Sequence, residues 1–378
     1  MLSDDSTFNP PLHVGRPNVG DREAFLRLAA EMFDRRWLSN DGPLVQEFES
    51  RLAGLLGAKH VIAVTNGTLG LELVIDGLGL TGEVIVPAFT FVATAHALEV
   101  RGLRPVFADI DPETHNLDVA SVRSLITPET SAILAVHLWG RPAALTELQQ
   151  LADDTGVKLI YDAAHAFGVT TSGRRIGTFG AAEVFSFHAT KFFNTFEGGA
   201  VSTNDDELAA RLRLSRNFGF AGEDRVVSLG TNAKMTEICA AMGLVNLDDL
   251  DTFVDINRKN LERYRQELAG TASIRLHDVA PTGTKGNYQY VVAMVEDGRR
   301  DEVLAALRKH NVLARRYFWP GVHRMEPYAT RWPKAGEALP QTEAIADRVL
   351  VLPTGSSVNA EAITRVAAII TDVLGRRD

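Results

Sequence analysis

The sequence predicts an α/β protein: a large domain on a mostly parallel sheet covered by helices on both faces, then a smaller C-terminal α+β domain. Three observations predict it. Short apolar runs such as HVIAV (60–64), EVIVP (83–87) and KLIYD (158–162) recur along the first part of the chain. Helical patterns separate them, as expected for strands buried on both faces. The 378 residues also exceed one ordinary core. The expected division is an N-terminal arm over 1–20, a large domain over 21–250 and a small domain over 251–378.

Residues 1–20 read as an extended arm. A helix is expected over roughly 21–34, a loop in WLSNDGP (37–43) and an amphipathic helix in LVQEFESRLAGLLG (44–57). HVIAVTNG (60–67) reads as a strand entering a turn, with a helix following through GLGL. EVIVP is a strand, TFVATAHALEVRG (90–102) a helix, and RPVFADID (104–111) and AILAVHLWG (132–140) are strands. ALTELQQLADDTG (144–156) is a helix ended by glycine. KLIYDAAHAFG (158–168) runs from strand to loop, and EVFSFHA (183–189) and GGAVSTN (198–204) are two more strands. The stretch 235–269 reads as one long helical pattern leading into the small domain. There, strands are expected at 272–279, 287–295, 312–318 and 350–353, with helices at 299–310, between the last two strands, and at 359–374.

Composition excludes some functions. The net charge of −9 repels nucleic acid and anionic membrane surfaces. The single cysteine, Cys239, allows no intrachain disulfide and reads as a small buried hydrophobe. The N-terminus lacks the basic and apolar regions of a signal peptide, and there is no apolar run of about 18 residues. A reduced, cytoplasmic location is the default expectation.

In such a fold the functional loops lie at the carboxyl ends of the strands. Asp162 ends KLIYD, so an apolar strand delivers a carboxylate that needs a cation, a metal or donors, unless it simply caps a turn. Lys191 sits in the aromatic, uncharged stretch FHATKFFNTF, where burial can make its amine reactive; alone it reads equally as a surface lysine. TNGT (65–68) can present free N–H groups and a hydroxyl at a helix start, either as an anion site or as an ordinary cap. Phe89 and Phe91 in PAFTFVAT can stack on a flat cofactor or join the core. EGG (197–199) permits close backbone approach. GLGLTG (77–82) ends a helix instead of opening one after a strand, which argues against a dinucleotide fingerprint. His137 and Trp139 either meet the substrate or pack. His96 is expected to pack, and Asp109 and Asp111 to serve turns.

The order of these features decides between the readings. TNGTLGLEL, VPAFTFVATAHAL, FADIDPETHNLD, VHLWGRP, YDAAHAFG, FSFHATKFFNTFEGGA, TNAKMTEICAAMGL and ARRYFWPGVHRMEPY together resemble the DegT/StrS-type nucleotide-sugar aminotransferases, over roughly residues 37–355. The resemblance implies fold type I of the pyridoxal 5′-phosphate (PLP) enzymes, aspartate aminotransferase-like, with a seven-stranded sheet. It makes Lys191 the Schiff-base lysine, Asp162 the partner of the pyridine nitrogen, and His165 a neighbour of the phenolic oxygen. Phe91 becomes the stacking ring, and Gly67, Thr68 and Ser186 phosphate contacts. Asn232 would reach the phosphate from a second subunit, implying a homodimer with shared sites and no metal. L-Glutamate is the implied donor and pyridoxamine 5′-phosphate the form that carries the amino group to a nucleotide-linked keto-sugar. Two loops most resemble the branch that aminates C4 of dTDP-4-keto-6-deoxy-glucose; amination at C3 of a 3-keto sugar is the alternative. Asn40, Gly42 and Tyr317 are candidate sugar-nucleotide contacts. Two further readings are a dehydratase of this fold, which carries histidine in place of the lysine, and a non-catalytic regulatory ligand-binding protein. The presence of Lys191, Asp162 and His165 counts against both.

Overall fold

A computed structural model describes residues 7–376, so the first six residues of the expected arm and the last two of the chain lie outside it. Its centre is a seven-stranded sheet made of β1 (His60–Val64), β2 (Glu83–Pro87), β3 (Arg104–Ala108), β4 (Thr130–Val136), β5 (Lys158–Asp162), β6 (Ala182–Ser186) and β7 (Gly199–Thr203). The spatial order is β1-β7-β6-β5-β4-β2-β3. Every pairing is parallel except the two made by β7. Expectation and structure agree on a mostly parallel sheet of seven strands. The reason lies in the runs themselves: all five residues of EVIVP, and all but the first of KLIYD, are buried.

Helices α1 (Arg22–Arg35), α2 (Pro43–Leu56), α3 (Gly67–Leu78), α4 (Ala93–Val100), α5 (Leu145–Thr155), α6 (Asp206–Ser215) and α7 (Glu237–Asp248) surround this sheet. Helix α6 is absent from the expectations above, although NDDEL carries its signal. Asp205 accepts bonds from the N–H groups of Glu207 and Leu208, and two acidic residues follow in the first turn. The long helix expected over 235–269 is two helices. Asp249, at φ −101° and ψ 7°, separates α7 from α8 (Leu250–Glu267). Helix α7 is committed to the large sheet, since Gly243 lies so close to the Phe48 ring that a Cβ there would sit 2.6 Å from it. Helix α8 starts in the same core as Phe48 with Leu250 and Phe253, then joins the C-terminal core through Leu261 and Tyr264.

That second core covers the antiparallel strands β8 (Ile274–Leu276), β9 (Val291–Val295) and β10 (Val349–Leu352), packed under α9 (Arg300–Lys309) and α10 (Ala360–Gly375). The strand expected over 312–318 shrinks to Val312–Leu313, which pairs with Leu12–His13 of the arm. Phe8 and Leu12 are buried in the C-terminal core.

Several side chains take roles the sequence did not assign. Asp109 serves no local turn. It accepts bonds from the N–H groups of Gln341 and Thr342 and from the Thr342 hydroxyl, at 2.8–3.0 Å, and so caps the short helix Pro340–Ala346 more than 200 residues away. Asp109→Ala is expected to lower unfolding stability by about 2 kcal/mol, read from urea midpoints at unchanged slope. Asp111 does serve a turn, accepting from Glu113 and Thr114. His96 packs, stacked on Tyr328 with its Nδ1 2.6 Å from the phenol oxygen. Cys239 is only half-buried, against the core below α2. Among the described residues, no helix is long and apolar enough to cross a membrane.

Candidate active site

A cavity of about 570 Å³ opens at the carboxyl edge of the sheet. Five features build it. Helix α3 starts there, with Gly67 and Thr68 in its first turn. Asn66 caps this helix by accepting from the Leu69 N–H, which leaves the two preceding N–H groups for a ligand. Gly199 explains the EGG motif: a Cβ there would sit 2.8 Å from the Gly67 nitrogen, so only glycine lets β7 pass under the helix start. Ser186 ends β6 at the same rim. Phe91 follows β2 and is 56% exposed, so a ring face stays open to the cavity, whereas Phe89 is core.

The charged groups face each other inside. Asp162 ends β5. One carboxylate oxygen accepts from the Thr94 hydroxyl at 2.9 Å and the other from the Ala164 N–H at 3.1 Å. Burial pushes this carboxyl up, while those two donors and the Lys191 charge pull it down. Lys191 is half-buried, on a turn whose Phe187, Phe192 and Phe193 are sunk in the core beneath. Among the described residues its amine has no ion pair or hydrogen bond. Burial brings it from an ordinary 10.5 down to about 8, against the pull of Asp162. In the cofactor-free enzyme, acylation of Lys191, followed on its own peptide by mass spectrometry, should therefore be half-maximal near pH 8. A midpoint close to 10.5 would contradict this environment.

His165 is buried and held well below its usual range, first by burial and then by the Lys191 charge, so the imidazole is neutral. Its Nδ1 accepts from the Trp139 main-chain N–H at 3.3 Å, which leaves the proton on Nε2. Trp139 stacks parallel to His165 and Phe318. It adopts φ 60° in the turn Leu138–Gly140, where a strand was expected. His137 is fully buried, stacked on Tyr161 and accepting from the Ala143 N–H. Both residues therefore pack and neither lines the cavity.

The cavity thus gathers Gly67, Thr68, Phe91, Asp162, His165, Ser186, Lys191 and Tyr317. Asn40, Gly42 and Asn232 lie outside it. Gly42 begins α2 against the Glu237 carboxylate, which accepts from the Leu44 and Val45 N–H groups; Asn40 and Asn232 are exposed. Sequence reasoning missed Thr94, although it stands in the quoted TFVATAHAL, and Tyr290, whose ring meets His165 edge-on at 4.8 Å. Gln289 and Asn287 tie the His165 carbonyl to the C-terminal strands. No sequence pattern pairs those distant segments.

These residues fit PLP: an N–H cradle and hydroxyl for a phosphate, an aromatic face, a buried carboxylate with lone pairs to spare, and an unpaired amine. No cluster of three or more metal-ligating side chains occurs among the described residues. An amine facing a buried carboxylate, at the carboxyl edge of this sheet, defines a fold type I PLP-dependent aminotransferase. The chain belongs to the DegT/DnrJ/EryC1/StrS aminotransferase family, whose model matches residues 20–371. It is 37% identical to a dTDP-4-amino-4,6-dideoxy-D-glucose transaminase of Shigella dysenteriae, over 96% of this chain and 99% of that one. It is also 37% identical to a GDP-perosamine synthase of Caulobacter vibrioides, over 97% and 99%. The crystal structure of DesI, determined in the presence of its TDP-sugar product, superposes with a TM-score of 0.92 at 48% identity, covering 98% of this chain and 94% of DesI.

Proposed function

We propose that this enzyme moves the amino group of L-glutamate onto C4 of dTDP-4-keto-6-deoxy-D-glucose, giving dTDP-4-amino-4,6-dideoxy-D-glucose. The observation that carries the reading is Lys191 facing Asp162 in one cavity, on a chain that matches a transaminase named for that sugar along nearly its whole length. Bound PLP supplies an electron sink, which lets a C–H bond beside the substrate nitrogen ionise. The chain's residues do the rest. The Gly67 and Thr68 N–H groups and the Ser186 hydroxyl would hold the phosphate. Asp162 would keep the ring nitrogen protonated, Phe91 would cover a ring face, and the His165 Nε2–H would be available to the phenolic oxygen. Lys191 takes a proton from the donor carbon in the first half-reaction and returns one to C4 of the sugar in the second.

The reading includes a cytoplasmic homodimer with shared sites. Asn232 and Asn40 are exposed outside their own cavity, and Trp37, Leu38, Phe218, Phe220 and Leu229 are exposed on the same two loops. Apolar exposure of this kind suits a second copy. Asn232 would then complete the partner's phosphate site, while Asn40, Gly42 and Tyr317 meet the sugar nucleotide. Hybrid dimers of Lys191→Ala with Asn232→Ala chains should then recover activity that neither parent shows.

The deciding experiment offers the enzyme glutamate with dTDP-4-keto, dTDP-3-keto and GDP-4-keto sugars and identifies the products by NMR. Exclusive C3 amination, or turnover of the GDP sugar alone, would reject the proposed substrate.

A further inference from the structure

Lys191 stands on a turn, residues 188–196, without regular secondary structure. Apolar packing of Phe192 and Phe193 anchors this turn on the core, but such contacts have little directional preference. Direction comes from three buried asparagines. Asn18 donates from Nδ2 to the carbonyl of Phe192, the residue after Lys191, at 2.8 Å. Its Oδ1 accepts from the Ser356 N–H at 2.9 Å. Asn194 donates back to the Asn18 carbonyl at 2.9 Å. Asn246, on α7, donates to the Asn194 carbonyl at 2.8 Å and accepts from the Gly20 N–H at 2.9 Å. The three side chains are 2%, 2% and 0% exposed.

The residue before Lys191 is held as well. Gly15 has φ +73°, and a Cβ there would lie 2.7 Å from the Thr190 carbonyl oxygen. The arm thus touches the chain on both sides of Lys191, and the asparagines join the arm, the turn, α7 and the 355–356 segment. An asparagine amide has donor and acceptor in one plane and can bridge two main chains at fixed angles. Inside a core each such bond is costly to leave unmade.

We propose that Asn18, Asn194 and Asn246 act as one positioning unit that sets where the Lys191 amine stands in the cavity. The proposal rests on the reading of Lys191 as the working amine. None of the three asparagines lines the cavity, so they act through the turn. Removing a bond should displace the amine without altering the surfaces that bind substrate, and an ångström of misplacement is enough to slow a proton transfer heavily.

The test compares native enzyme with Asn18→Ala, Asn18→Asp, Asn246→Ala and the Asn18→Ala/Asn246→Ala double variant. Asn18→Asp keeps the acceptor for Ser356 and loses the donor to Phe192. Asn246→Ala leaves both Asn18 side-chain bonds intact, so it keeps the test open if the Asn18 variants do not fold. Each single variant should lower kcat about 10- to 100-fold in both half-reactions, with KM for either substrate changed less than about threefold. The double variant should lose less than the product of the singles. In the cofactor-free forms, the midpoint for acylation of Lys191 should rise from about 8 towards 10.5 as water reaches the loosened turn. Unchanged kcat and midpoint, with a drop in melting temperature alone, would overturn the proposal and leave the asparagines as structural glue. Lys191→Ala separates the two ideas. If it keeps turnover, the reading of Lys191 fails and the proposal falls with it. If it is inactive while the asparagine variants work normally, only the proposal fails.

Discussion

Lys191→Ala is expected to lower kcat by about 10⁴-fold or more, in both half-reactions. A positioned acid or base supplies roughly 10²–10⁴ of rate. On the proposed reading, one amine would move the proton in both directions and would also hold the cofactor, so its loss should be felt twice. Among the described residues that line the cavity there is no second lysine. Its other nitrogen bases include His165, which accepts from Trp139 through Nδ1 and is kept neutral by burial, and the more exposed His188, which is engaged with Thr190 and Glu197. The phosphate cradle is untouched, so the variant should still bind PLP without attaching it. Single-turnover absorbance with each substrate would read the chemical step, and borohydride reduction would read attachment. Trapping of the cofactor on another peptide, or a loss below tenfold, would contradict the assignment.

Asp162→Asn is the second large effect, and its two readouts move in opposite directions. Asparagine keeps an oxygen for the Thr94 hydroxyl, or for the Ala164 N–H, at almost the same volume. It cannot hold a ring nitrogen in its protonated form. We expect kcat to fall about 10³-fold, within the range seen when a preorganised charge partner is removed, and PLP to dissociate more readily. The cofactor-free protein should behave differently. The Asp162 carboxyl is raised in the folded state, chiefly by burial. A carboxyl whose folded pKa lies above its unfolded one favours the fold below the unfolded value. That contribution is lost as pH rises through the folded value, so near pH 7 the charged group costs stability. Asp162→Asn removes this cost. The variant without cofactor should melt at or above the native temperature at pH 7, with the gap closing on acidification below the raised carboxyl pKa. A variant that is both inactive and clearly less stable without cofactor would show that Asp162 serves packing instead.

The strands were legible because burial on both faces writes itself into consecutive residues: EVIVP and KLIYD match β2 and β5 residue for residue. Helix starts were legible where a cap and a glycine coincide, as in TNGT. The groups that the cavity brings together stood out only as an ordered set, since Asp162, Lys191 and the TNGT turn are each ambiguous alone. Errors arose where a long-range partner overrode a local pattern. AILAVHLWG continues as an apolar run, yet the strand stops at Val136 because Trp139 turns its ring towards His165 and Phe318. The pattern over 235–269 is helical throughout, yet it breaks at Asp249, and the second helix runs from the core of the large sheet at Leu250 and Phe253 to the C-terminal core at Leu261 and Tyr264.

By itself, then, the sequence determined the sheet through its periodicity and, through the family its ordered motifs resemble, the cofactor class; it also put forward the two charged groups that the cavity brings together. Only the tertiary structure decided what surrounds those groups. Thr94 on Asp162, the Trp139 N–H on His165, and the asparagines that grip the Lys191 turn are contacts between segments 26 to 226 residues apart. A buried polar group must find its partner in space, wherever the chain happens to bring one.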